Sequence, residues 1–114
     1  MKKIHLTARF HIHPGKEAEF KGLIPTCVAK VKAEEPGVER YQWFLNPEGT
    51  ICHVLETYSD SEAVLNHMIN MGELLGRLMG MSTLEGELYW DLSDQLKDAA
   101  SGLPLKTFSF LEGF

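Results

Sequence analysis

The segment from Ile51 to Met79 changes its hydrophobic period once, and that change restricts the fold more than any other feature of the chain. Its first part, Ile51 to Tyr58, alternates and is rich in β-branched and aromatic residues, which marks a strand. Ser59, Asp60, Ser61 and Glu62 follow. Ser59 with Glu62 has the spacing of a capping box, in which each side chain satisfies an orphan backbone N–H. From Ala63 the period becomes helical, and Val64, His67, Met68, Met71, Leu74, Leu75 and Leu78 share one stripe. A strand feeding an amphipathic helix has to lay that helix back over its sheet. Two polar residues break the pattern: Glu56 in the strand and His67 in mid-stripe.

The rest of the chain supplies the partners. Lys3 to His13 alternates cleanly, with Ile4, Leu6, Ala8, Phe10 and Ile12 on one face and His5, Thr7, Arg9, His11 and His13 on the other. Pro14-Gly15 ends it. Lys16 to Glu34 reads as a helix burying Phe20, Leu23, Ile24, Cys27, Val28 and Val31. Pro25 falls inside that stripe and predicts a kink or short break. Glu35-Pro36-Gly37 stops the helix. Val38 to Asn46 is a second strand, and the turn Asn46-Pro47-Glu48-Gly49 makes it a hairpin with the strand from Ile51. Ser82 to Asp91 is a fourth strand. Ser93 can cap a short helix through Ala100, closed by Gly102, and the tail has strand character from Lys106 to Leu111.

This order predicts an α+β fold: the ferredoxin-like βαββαβ arrangement with an antiparallel sheet, followed by a C-terminal short helix and an extra strand. It is one domain over residues 1–114, with a core at 3–91 and an appended 92–114. Helices on one side leave the other sheet face uncovered, and a second copy of the chain covers it most simply, so a homodimer is expected. The phenylalanine-rich tail is expected to pack on, or add a strand to, the partner subunit.

Composition narrows the function. A net charge of −5 with scattered lysines provides no basic stripe, which argues against nucleic acid and anionic membrane as partners. The Met-Lys-Lys start lacks a following apolar segment, so the expected setting is cytoplasmic. Cys27 and Cys52 fit neither a disulfide framework nor a C-x-x-C site and read as reduced core residues.

Several of these residues also form a known pattern. Glu35-Pro36-Gly37 followed by Tyr41, then Leu55-Glu56-Thr57-Tyr58-Ser59-Asp60, then Ala63 and His67, match the E-P-G…Y and E-x-Y/W-x-D-x-x-A-x-x-x-H run of the antibiotic biosynthesis monooxygenase family. The chain resembles that family of dimeric α+β barrels over roughly Lys3 to Asp91. The resemblance implies a small-molecule site between helices and sheet. It also implies a cofactor-independent monooxygenase acting on a small aromatic, quinol-type or hydroxyketone substrate, with dioxygen as co-substrate. Haem-degrading members place an asparagine, a tryptophan and a histidine ligand where this chain has Ala8, His67 and Arg77, and a guanidinium cannot ligate iron.

The candidate catalytic residues are His67 and Glu56. An imidazole suits proton abstraction from a phenol or α-hydroxy ketone, against the alternative of a core histidine bonded to a carboxylate or carbonyl. Glu56 either orients His67 or works as an acid/base, or else it is a structural carboxylate paired with Arg9, Arg40 or a histidine. Tyr58, Asn70, Met71, Tyr41 and Trp43 are the candidate substrate-binding residues, as walls or polar anchors. His5, His11 and His13 project to one side of their strand, but no carboxylate or cysteine at suitable spacing completes a metal site, so none is expected. A non-catalytic small-molecule-binding or stress-associated barrel, and an isomerase on the same scaffold, remain alternatives.

Overall fold

The computed structural model describes residues 3–114; Met1 and Lys2, on which the expectation about the chain's start rests, lie outside the described residues. The elements are β1 (Ile4–Ile12), α1 (Glu17–Glu34), β2 (Val38–Leu45), β3 (Ile51–Tyr58), α2 (Ser61–Asn70), α3 (Gly72–Gly80), β4 (Ser82–Tyr89), α4 (Asp94–Ser101) and β5 (Leu105–Phe108). One sheet runs β2-β3-β1-β4-β5. Its first three pairings are antiparallel and the last, β4 with β5, is parallel. The fold is thus α+β with a mostly antiparallel sheet and the ferredoxin-like order.

Register explains the core. Ala8 lies between Val54 and Gly86, and Phe10 between Cys52 and Leu84, so the apolar faces of β1, β3 and β4 coincide. Against this face α1 buries Phe20, Leu23, Cys27 and Val31, while α2 and α3 bury Val64 and Leu78. Glu56 shares that inward face, opposite Leu6 on one side and Tyr41 on the other.

Four local expectations are corrected. First, α1 is unbroken, because Pro25 lies on its exposed side rather than in the buried stripe. The carbonyl that a proline leaves without a donor then faces solvent, where water satisfies it. Second, Asp60 rather than Ser59 caps α2, accepting from the Ala63 N–H at 2.9 Å. Ser59 instead donates its backbone N–H to the Gly37 carbonyl at 2.9 Å, tying the turn after α1 to the start of α2. That approach requires glycine: a Cβ on Gly37 would stand 2.8 Å from Ala63 Cβ.

Third, the long helical stripe is two helices, divided at the buried Met71 (φ −93°, ψ 2°). Asn70 and Gly72, on either side of Met71, make a weak helix segment, and the stripe resumes in phase with Leu74, Leu75 and Leu78. Fourth, the tail strand is Leu105–Phe108, earlier than the Lys106 to Leu111 expected, and it pairs with β4 of the chain's own sheet. Trp90 leaves β4 with φ 106°, donates its N–H to the Phe108 carbonyl at 2.9 Å and stacks on Phe110 at 4.2 Å between ring centroids. The α4 cap is as expected, with Ser93 accepting from the Leu96 N–H.

Candidate functional site

The site is assembled where α1 ends, β3 runs inward and α2 passes over the sheet. His67 projects from α2 and is largely buried. Its Nδ1 lies 2.8 Å from Glu35 Oε1, and Asn70, one turn further along α2, donates its amide N–H to Glu35 Oε2 at 2.7 Å. A carboxylate can only accept there, so Nδ1 carries the proton and the neutral ring presents Nε2 as an acceptor. Nε2 faces Glu56 Oε1 at 3.7 Å, too long for a direct hydrogen bond, and a polar atom lying to one side of that line could meet both. Glu56 in turn accepts the Tyr58 phenol proton. Tyr41 and Tyr58 both meet the imidazole edge-on, with ring centroids 5.4 Å away.

The two carboxylates differ in character. Burial alone pushes Glu35 up, but hydrogen bonds from His67 and Asn70, with the charge of Lys30 adding to them, outweigh it and hold Glu35 below its ordinary range. For Glu56 burial prevails, helped by the charge of Glu35 and opposed by His67 and the Tyr58 hydrogen bond, so its carboxyl is held toward the neutral form. Burial, then the nearby Glu56 charge, raises both tyrosines, so they remain phenols. An imidazole between a carboxylate held toward its charged form and a carboxyl raised toward its neutral form can accept a proton at Nε2, and Glu56 when protonated can offer one.

Glu56 and His67 open onto a cavity of about 60 Å³ under α2 and α3, walled chiefly by aliphatic side chains. On the far side of Glu35 lies an open polar cleft of about 460 Å³, reached by Asn70 and lined by Asp60 and Glu62. Of the expected binding residues, Tyr58, Asn70 and Tyr41 gather around the Glu35–His67–Glu56 group. Trp43 stands one ring further out, edge-on to Tyr41 at 5.6 Å, with its indole N–H buried. None of these lines the small cavity. Met71 sits buried at the α2–α3 junction.

Of the structural partners expected for Glu56, which were Arg9, Arg40 or a histidine, neither arginine reaches it and a histidine, His67, faces it. Arg9 lies on the opposite sheet face, bonded to Glu87 at 2.6 Å and Glu85 at 3.0 Å, and Arg40 donates to Gln42. The outward histidines engage neighbours instead of one another: His5 with Thr57, His13 with Thr83, His11 toward Glu85. Among the described residues no group of three His, Cys, Asp or Glu side chains could hold a metal ion. Cys27 and Cys52 are buried, and desolvation pushes both thiols up, Cys52 to about 11. The residue that sequence reasoning missed is Glu35. It was visible only as a helix stop, although a carboxylate just before Pro-Gly already stood in the E-P-G motif.

The family model for antibiotic biosynthesis monooxygenase matches residues 3–70. The chain belongs to the antibiotic biosynthesis monooxygenase family. The matched span contains every member of the Glu35–Glu56–His67 group. Among solved structures, MupZ from Pseudomonas fluorescens superposes with a TM-score of 0.86 at 25% identity, covering 100% of this chain and 94% of its own. That match includes the α4–β5 appendage. SnoaB, a cofactor-independent oxygenase from Streptomyces nogalater, gives 0.68 at 22% identity over 82% of this chain and 96% of its own. A conserved protein from Methanosarcina mazei Go1 gives 0.70 at 22% identity, covering 78% and 92%. These last two likenesses establish the fold alone. No curated protein sequence matches the chain.

Proposed function

We propose that this member of the family is a cofactor-independent monooxygenase acting on a small aromatic, quinol-type or hydroxyketone substrate, with His67 as its base. The observation that carries the reading is the tautomer: Glu35 holds the Nδ1 proton, so Nε2 is the free acceptor and faces the cavity beside Glu56. His67 takes a proton from the substrate, and the electron-rich anion left behind reduces dioxygen. A quinol or an anthrone gives up four electrons at the reacting carbon, so one oxygen atom stays in the product as a carbonyl and the other leaves as water. An α-hydroxyketone gives up two, so the same deprotonation and electron transfer would yield the diketone and hydrogen peroxide. No metal or organic cofactor enters this scheme, and SnoaB, described as a cofactor-independent oxygenase, supports it by family likeness. The setting proposed is cytoplasmic; no helix among the described residues is long and apolar enough to cross a membrane.

One observation favours a second reading. Oxygenation of an already deprotonated substrate has no need of a second carboxyl group opposite the base, yet burial raises Glu56 toward the protonated form that could serve as an acid. A base and an acid across a 3.7 Å gap suit an isomerase or another proton-transfer enzyme equally well.

Oxygen uptake with a panel of quinols, anthrones and hydroxyketones under air separates these readings. Uptake above buffer that His67→Ala abolishes supports the oxygenase. Solvent-deuterium exchange into substrate without uptake selects proton transfer. Neither signal in the wild type identifies a binder, and equal rates in wild type and His67→Ala remove the histidine from the mechanism.

A further inference from the structure

The cavity beside His67 has chiefly aliphatic walls. Leu6, Ala8 and one aromatic ring, Phe10, of β1 line its sheet side, Met68 and Leu75 its helix side, and Leu103 with Leu105 of β5 the side toward the C-terminal appendage. Only Glu56 and His67 bring polar groups, and they stand together at one end. No lysine or arginine lines it, and Arg9 of β1 is spent on Glu85 and Glu87 on the opposite face.

We infer that the ligand of this cavity is a neutral, narrow, chiefly aliphatic molecule with one hydroxyl or carbonyl group, presented to His67 Nε2 and Glu56. The inference rests on the reading of His67 as a working base, and it selects the hydroxyketone class over the fused aromatic one.

Charge excludes acids and phosphates. An anion here would lose its hydration, meet no counter-charge and lie beside a carboxyl group. Shape excludes planar ring systems. At about 60 Å³ the cavity has room for about two water molecules, so any occupant displaces side chains. Leucine and methionine side chains rotate; strand backbone does not.

Leu105 marks where the wall yields. Its Cδ2 would stand 2.9 Å from a Cβ on Gly86, and such a Cβ would be only 2.6 Å from the Thr7 carbonyl. Leu105 is therefore seated in a slot that exists because position 86 has no side chain. Its strand, β5, is an edge of four residues paired only to β4. Leu105 and His67 line the same cavity, so a rotation of Leu105 out of the slot would enlarge it on the β5 side for a flexible chain. A rigid fused tricycle could not follow an opening made by one side chain.

The test is a methyl NMR titration of the full chain, under nitrogen, with three probes: butyroin, a neutral hydroxyketone; octanoate, a carboxylate of the same chain length; and anthrone, a planar tricycle. Butyroin is expected to shift the Leu84 and Leu105 methyls saturably. Octanoate should bind about tenfold more weakly or worse, and anthrone should not move those methyls. Leu105→Phe, which fills the slot from an edge strand, should weaken butyroin about tenfold; Leu103→Phe serves if that variant does not fold. Octanoate or anthrone binding as tightly as butyroin would overturn the inference. Butyroin that binds but is never turned over in air leaves the ligand class standing and removes the enzymatic reading. Anthrone turned over by a chain that does not bind butyroin does the reverse.

Discussion

Glu35 and Glu56 flank one imidazole, and their opposite shifts predict opposite responses to pH. Glu56 is raised above its unfolded value, so the native state suffers no charge-burial penalty below the ordinary carboxylate range and loses stability as pH rises through the raised value. Glu35 is lowered, so its contribution is present above the ordinary range and disappears as pH falls through the lowered value. Glu56→Gln keeps the acceptor for Tyr58 and removes the charge. It should melt with wild type at about pH 4 and above it at about pH 8; a difference that does not change with pH would disprove the burial argument. Glu56 and His67 were legible in the sequence because each interrupts a local apolar rhythm. Glu35 was not, since it lies just past the end of α1, where no period assigns a face. Its partner His67 is 32 residues away, a distance no local pattern spans.

At the scale of elements, the site depends on how closely the Glu35-Pro36-Gly37 turn approaches the start of α2. Ser59 N–H bonds the Gly37 carbonyl, and a Cβ on Gly37 would stand 2.8 Å from Ala63 Cβ. Gly37→Ala should therefore destabilise the fold by about 1–3 kcal/mol, the usual effect of overpacking a tight contact. Because Glu35 is two residues away, the same change should lengthen its bond to His67, visible as a shift of the imidazole nitrogen resonances. Unchanged unfolding in urea would show that the turn yields freely. Element identity was legible wherever hydrophobic period and turn chemistry agreed, as in β1, the β2–β3 hairpin and the Ser93-capped α4. The departures came where two local signals competed. Asp60 and Ser59 are both good caps, and only the contact of Ser59 with Gly37 settles which one starts the helix. The Met71 break hid inside a stripe that stays in phase across it, and Pro25 looked disruptive only while its side of the helix was unknown.

For the whole molecule, the sheet has one face covered by helices and one face bare. The bare face mixes the Arg9–Glu85–Glu87 network with exposed Phe44, Tyr89 and Phe108, the last two stacked at 5.6 Å. Aromatic residues spread over the flat side of a sheet lose area to water that a second sheet would cover, and we propose that a second copy of this chain covers it. The tail bears on this directly. Because β5 completes the chain's own sheet, Phe108 extends the bare face, and exposed Phe110, Leu111 and Phe114 continue beyond it. Light scattering should return twice the protomer mass, with a melting temperature that rises with protein concentration, as linkage to association requires. Tyr89→Lys with Phe108→Lys, both outside the cavity wall, should shift the mass toward one protomer while leaving butyroin binding in place. A wild-type mass of one protomer across the concentration range would mean that this face stays bare in solution, and that a covered sheet is not what shelters His67.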